Sequence, residues 1–178
     1  MSPIFLLLSL ASLALAQSNS ACANILSCHL PSGPVDACCT ESPGGLVLLT
    51  QFWDTKGPAN SWTIHGLWPD NCDGSFESNC DPSRAYSNPR QILEEAGKTE
   101  LLDYMRRNWK GLKTDEELWG HEWSKHGTCL STLRPQCYID YKKGKEAVDY
   151  FEQAVSLHKT LDTHAVSITQ LQRVRARN

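Results

Sequence analysis

The chain has 178 residues, enough for one domain that buries a sizeable core. With 40% hydrophobic and 21% charged residues, wholesale disorder is excluded. The 17 Lys and Arg against 20 Asp and Glu leave a net charge of −3, which excludes a protein that coats nucleic acid through bulk positive charge.

Residues 4–16 form an apolar run that is too short to span a bilayer and ends in Ala14-Leu15-Ala16. This predicts a signal peptide over residues 1–16 and a mature protein that is secreted, extracellular or held in a vacuolar, lysosome-like compartment. No later stretch is long and apolar enough for a membrane helix, so no membrane partner is expected of the mature form. All 8 cysteines fall between positions 22 and 137. In an oxidising compartment they predict four disulfides, and no Cys-x2-Cys pair offers itself for zinc. Their spacing leaves the pairing open.

Residues 20–45 hold four cysteines, three prolines and three glycines, a disulfide-tied loop segment. Leu46–Trp53 is a β-type apolar run after Gly44-Gly45. Ser61–Trp68 alternates, which predicts a strand with Trp62, Ile64, Gly66 and Trp68 on one face and Thr63, His65 and Leu67 on the other, ended by Pro69. Residues 70–89 are turn-rich. Asn88-Pro89 opens a helix to about Ala96, and Thr99 caps a second from Glu100 to Asn108 with Leu101, Leu102 and Met105 inward. Asp115 caps a third that runs through Lys125 or His126 to Gly127. A fourth, from about Lys145 to Leu161, turns Ala147, Val148, Phe151, Ala154, Val155 and His158 inward. Strands and helices of this number predict an α+β domain with a central antiparallel sheet, several helices and disulfide staples.

Two windows concentrate chemistry: Trp62-Thr63-Ile64-His65-Gly66-Leu67-Trp68-Pro69-Asp70, and Trp119-Gly120-His121-Glu122-Trp123-Ser124-Lys125-His126-Gly127-Thr128-Cys129. On a helix, His121, Lys125, Glu122 and His126 fall at roughly 0°, 40°, 100° and 140°, so four ionisable groups share one sector. A solvated charged face is the ordinary meaning of such a stripe, but two histidines flanked by Trp119 and Trp123 suit a cleft edge better. Histidine gives and takes protons near neutrality, and two of them can divide the acid and base roles of one reaction. A lysine beside them can neutralise charge developing on a phosphoryl group. Zinc-protease ligation needs His-Glu-x-x-His, and here the fourth residue after His121 is Lys125, so neither a metal nor a cofactor is expected. No Gly-x-Ser-x-Gly elbow is present, and no carboxylate pair is singled out for glycoside hydrolysis. His29, His158 and His164 join no cluster and read as structural.

The two windows resemble the active-site segments of the ribonuclease T2 family, secreted acid ribonucleases. The flanks Leu49-Thr50-Gln51-Phe52-Trp53-Asp54 and Asn71-Cys72-Asp73-Gly74-Ser75-Phe76 are most similar to fungal members. The resemblance covers residues 22 to about 163. It implies an endoribonuclease that cleaves single-stranded RNA, and not DNA, first to a 2′,3′-cyclic phosphate and then to a 3′-phosphate. In that reading His126 is the base, His65 the acid, His121 a phosphate ligand, and Glu122 and Lys125 stabilise the transition state. Trp68, Asp70 and Phe76 form a base-binding site, and Gln51 lines the same cleft. The resemblance also implies the pairs Cys22–Cys39, Cys28–Cys72, Cys38–Cys137 and Cys80–Cys129. A monomer is expected. It fades after Asp162-Thr163. Residues 17–163 are therefore expected to be an incomplete ribonuclease domain lacking C-terminal elements, with 164–178 an atypical basic tail from a truncated product or a shifted reading frame. A chain shortened in this way is expected to be poorly stable. A catalytically impaired RNA-binding or toxin-like module on the same scaffold is the alternative.

Overall fold

The computed structural model describes residues 22, 27–29 and 34–175, with side chains up to residue 169. The signal-peptide stretch 1–16 lies outside the described residues. Two strands, β1 (Leu46–Phe52) and β2 (Thr63–Asp70), form an antiparallel two-stranded sheet. Five helices follow: α1 (Pro89–Glu95), α2 (Thr99–Asn108), α3 (Asp115–Lys125), α4 (Lys145–Thr160) and α5 (Thr163–Arg175). The fold is α+β, as the pattern of elements predicts.

The strand register runs from Leu46 opposite Asp70 to Phe52 opposite Thr63, but it slips in the middle. Thr50 faces Gly66 and Gln51 faces Ile64, so His65 has no residue opposite it. An extra residue on one strand of a pair is a β-bulge, and it reverses the phase of the alternation beyond it. Strict alternation puts His65 and Trp68 on opposite faces. The bulge corrects this, and their rings meet edge to face with centroids 5.0 Å apart.

The helices start close to where their caps predict. α1 begins at Pro89, whose missing N–H costs nothing at the first helical position. α2 begins at Thr99, with Lys98 rather than Thr99 at the cap position. The cap of α3 is Thr114, one residue earlier than expected: its Oγ1 accepts from the Glu117 N–H at 3.1 Å, and Asp115, Glu116 and Glu117 complement the helix dipole in the first turn. α5 (Thr163–Arg175) lies within the stretch 164–178 expected to be an atypical tail, and Val166 and Ile168 on it are exposed.

The core lies between β2 and the first four helices. It is built on Ile64, Leu93, Leu102, Met105, Trp109, Trp119, Trp123, Tyr150 and Phe151. Buried Trp and Tyr need partners for their polar tips. Trp109 Nε1 donates to His65 O at 2.8 Å, Trp119 Nε1 to Trp109 O at 2.9 Å and Trp123 Nε1 to Arg84 O at 2.6 Å. The tips thereby lock the backbone of β2 and the ends of the helices to one another. The disulfides are Cys22–Cys39, Cys28–Cys72, Cys38–Cys137 and Cys80–Cys129, the pairing that the family resemblance implies. The last joins the segment before α1 to the turn just after α3.

Candidate active site

Glu122 is the centre of the site. Its side chain is fully buried, yet its carboxylate faces three imidazoles and an indole. Oε2 accepts from Trp68 Nε1 at 2.8 Å. Oε1 lies 3.3 Å from His65 Nε2 and 4.0 Å from His121 Nε2, and Oε2 lies 4.0 Å from His126 Nε2. Gly66 makes this approach possible. A Cβ there would stand 2.7 Å from Trp68 Nε1 and 2.8 Å from Glu122 Cδ, and closer still to Oε2.

His65 is partly exposed, and Phe52 stacks on its ring with centroids 4.0 Å apart. Stacking and the Glu122 contact together fix its direction. His121 sits one residue before Glu122 on α3 and is more than half exposed, so it can meet a ligand from solvent.

His126 caps the C-terminus of α3, where the helix dipole favours a cation. Burial wins. The ring is 4% exposed and stacked under Trp68 with centroids 4.6 Å apart. Desolvation pulls its pKa down to about 4, outweighing the attraction of Glu122, and the positive charges of Lys125, His121 and His65 push in the same direction. His126 is therefore neutral over most of the mildly acidic range, and its Nε2 has no hydrogen-bond partner among the described residues. A buried, neutral, unpartnered imidazole nitrogen is a proton acceptor in waiting.

Lys125 is half-buried and lies beside His121, Ser124 and Asn79 in a shallow hollow of about 370 Å³. Trp68 and Asp70 share one face of the outer end of β2. Phe76, 60% exposed, comes beside them because Asp70 and Phe76 form an isolated antiparallel bridge after the Asn71–Ser75 turn. This groups the three residues expected to bind a base, although one face of the Trp68 ring is taken by His126.

Gln51 does not join them. Its side chain donates to Thr163 Oγ1 at 2.9 Å and lines a small polar pocket with Tyr104 and His158. Phe52, its neighbour, is the residue that faces His65. His158 is structural as expected: it is buried, with Nδ1 2.9 Å from the Tyr104 hydroxyl and Nε2 2.9 Å from Trp62 O.

Several residues lining the site escape sequence reasoning. A cleft of about 710 Å³ opens from His65, Glu122 and His121 toward Phe52, Trp53, Lys110 and Lys113. Trp53 is 65% exposed there, with one side of its ring stacked on His164 at 5.8 Å between centroids, and Lys113 lines the same cleft. A run of Lys110, Leu112 and Lys113 between two helices carries no motif, so nothing local signals it. Among the described residues, no three His, Cys, Asp or Glu side chains converge in a way that could hold a metal ion.

The family model described as "Ribonuclease T2 family" matches residues 36–170, a span that includes every one of these side chains. The chain belongs to the ribonuclease T2 family. It is 55% identical over 142 residues to Ribonuclease T2 of Aspergillus oryzae, covering 78% of this chain and 51% of that relative. It is 55% identical over 134 residues to Ribonuclease M of Aspergillus phoenicis, covering 72% and 56%. Among solved structures it is similar to Actibind, a T2 ribonuclease, with a TM-score of 0.75 and 51% identity over 79% of this chain and 61% of that one. The chain thus spans about half the length of the curated relatives it matches.

Proposed function

We propose that this chain carries the catalytic centre of a metal-independent endoribonuclease that cleaves single-stranded RNA by transesterification. The observation that carries this reading is the convergence of His65, His121 and His126 on the buried Glu122, with His126 held neutral beside them.

Neutral His126 takes the proton of a ribose 2′-hydroxyl. The freed oxygen attacks the adjacent phosphorus, the bond from phosphorus to the 5′-oxygen breaks, and His65 protonates the leaving oxygen. The product is a 2′,3′-cyclic phosphate. Water then opens the ring with the two roles exchanged, leaving a 3′-phosphate. Glu122 orients His65 and balances its charge, while His121 and Lys125 meet the phosphoryl oxygens as negative charge grows on them. DNA lacks the 2′-hydroxyl and with it the nucleophile.

Trp68, Asp70 and Phe76 take the base on one side of the scissile phosphate. An indole stacks on any base and a carboxylate accepts from an exocyclic amine. The cleft of Trp53 and Lys113 gives the next nucleotide an aromatic ring and a cation, while Lys110 is paired with Asp115. Residues 1–16 direct the protein to secretion, and the enzyme acts as a monomer.

The test is cleavage of single-stranded RNA in the presence of EDTA, with products separated by chromatography. Cyclic phosphate ends are expected from the unaltered chain and none from His65→Ala or His126→Ala. Full activity in either variant, or dependence on a divalent metal, refutes the reading.

A further inference from the structure

The hydroxyl of Tyr150 lies where the two site-bearing segments meet. Tyr150 belongs to α4, takes no part in the cleft and is fully buried. Its Oη accepts from the Leu67 N–H at 3.2 Å and faces two carbonyl acceptors, Leu67 O at 3.1 Å and Glu122 O at 3.4 Å. A phenol has one proton, so it donates to Leu67 O or to Glu122 O in turn, and it links β2 to α3 when it accepts from the Leu67 N–H while donating to Glu122 O. Leu67 stands between His65 and Trp68 on β2, and Glu122 is the hub of the site on α3.

Among the described residues the sheet has two strands, so β2 has β1 along one edge, and beyond that pairing only Asp70 makes a further bridge, to Phe76. On its other edge a third strand would ordinarily take the N–H and C=O of Leu67. Here one hydroxyl takes both and also reaches α3. Among the described residues, no other side chain hydrogen-bonds to the backbone of both β2 and α3. The ring itself is immobilised edge-on against Trp123 and Phe151, with centroids 5.6 Å and 5.3 Å away. The hydroxyl is therefore aimed by packing.

The reach it protects is narrow. His65 is 3.3 Å and Trp68 2.8 Å from the Glu122 carboxylate. A drift of β2 against α3 by about one ångström stretches the Trp68 contact beyond hydrogen-bond length and carries His65 away from the Glu122 charge.

We propose that Tyr150 is a positioning residue of this centre: its hydroxyl sets the spacing of β2 against α3, and thereby holds His65 and Trp68 within reach of Glu122. The turnover readout below rests on the ribonuclease reading, whereas the titration readout does not.

The experiment compares the unaltered chain with Tyr150→Phe and, as control, Tyr86→Phe. The control deletes another buried phenol oxygen, one that donates to Glu146 at 2.6 Å and makes no hydrogen bond to β2 or α3, while the ring that stacks on Trp123 of α3 is kept. Each protein is titrated by NMR at the His126 ring and assayed on a ribodinucleoside monophosphate. In Tyr150→Phe water reaches a loosened site, so the His126 midpoint rises from about 4 by about one unit toward the ordinary imidazole value. Its kcat falls about 10- to 100-fold while KM stays within about twofold. Tyr86→Phe changes neither.

The proposal is overturned if both variants titrate His126 alike, or if the activity lost in Tyr150→Phe tracks only its unfolded fraction and returns on cooling. An unaltered chain that fails to cut RNA counts against the ribonuclease reading alone, because the titration still decides this one. Should Tyr150→Phe fail to fold, amide exchange in the unaltered chain decides: Leu67 is expected to exchange as slowly as the core of α4. Exchange at the rate of an exposed loop overturns the proposal.

Discussion

Gly66→Ala places a single methyl group in the tightest part of the site. The new Cβ would lie 2.8 Å from Glu122 Cδ, where ordinary contact begins at 3.4 Å, so the carboxyl must retreat by at least about 0.6 Å. It has nowhere easy to go. Its Oε2 is bonded to Trp68 Nε1, which would itself stand 2.7 Å from the methyl, and its Oε1 faces His65. Overpacking of this kind costs about 1–3 kcal/mol, which for a domain of this size lowers Tm by roughly 3–10 °C. Displacing the carboxylate from His65 and Trp68 costs more in function, about 100-fold in kcat for a shift approaching 1 Å. Thermal melting by circular dichroism and single-turnover cleavage of single-stranded RNA read the two effects separately. A variant with unchanged Tm and kcat within about twofold would refute the argument that Gly66 is kept clear for Glu122.

Three further outcomes are expected. Glu122→Gln keeps an acceptor for Trp68 Nε1 but removes the charge among the three histidines, so kcat falls about 100-fold with little change in Tm, and His126 titrates below its value of about 4 because the attraction that opposes its burial is gone; a kcat near that of the unaltered chain would contradict it. His126 also makes stability depend on pH. Its native pKa is lowered, so between about 4 and about 6.5 the unfolded chain binds the extra proton, and stability falls as pH drops through that window by about 3 kcal/mol in all. Urea unfolding at several pH values should show this slope in the unaltered chain and lose that part of it in His126→Phe; identical slopes would count against it. Replacing both Cys80 and Cys129 by Ala opens a loop with sequence separation 49, worth about 4 kcal/mol by chain entropy, and frees the turn that follows His126. Urea unfolding and RNA cleavage should both decline, and a loss below about 1 kcal/mol with full activity would refute the link.

Much of the site is legible in the sequence because it is local. His121, Glu122, Lys125 and His126 fall on one helix, and a period of 3.6 residues is enough to place them on one sector. Trp68 and Asp70 lie two apart on a strand and share a face for the same kind of reason. Three features are not legible. The bulge at His65 arises from the register of β1 against β2, which is a property of two segments and invisible in either. Gln51 turns toward Thr163 and leaves the cleft to Phe52, and that choice is also made at the slipped register. The second half of the cleft, with Trp53, Lys110 and Lys113, is assembled from residues more than fifty positions apart that carry no motif.

The sequence by itself determines the residue types that can do acid–base chemistry, the helix that groups four of them, the α+β class and, through family resemblance, the four disulfides. These follow from short-range periodicity and from long motifs. Only the tertiary structure decides how the groups act on one another. It buries Glu122 beneath Gly66, re-aims His65 through a bulge, lays Trp68 over His126 and keeps that ring neutral. Proton affinity and reach depend on burial and on distances of a few tenths of an ångström between segments far apart in the chain, and those are set by packing rather than by sequence spacing.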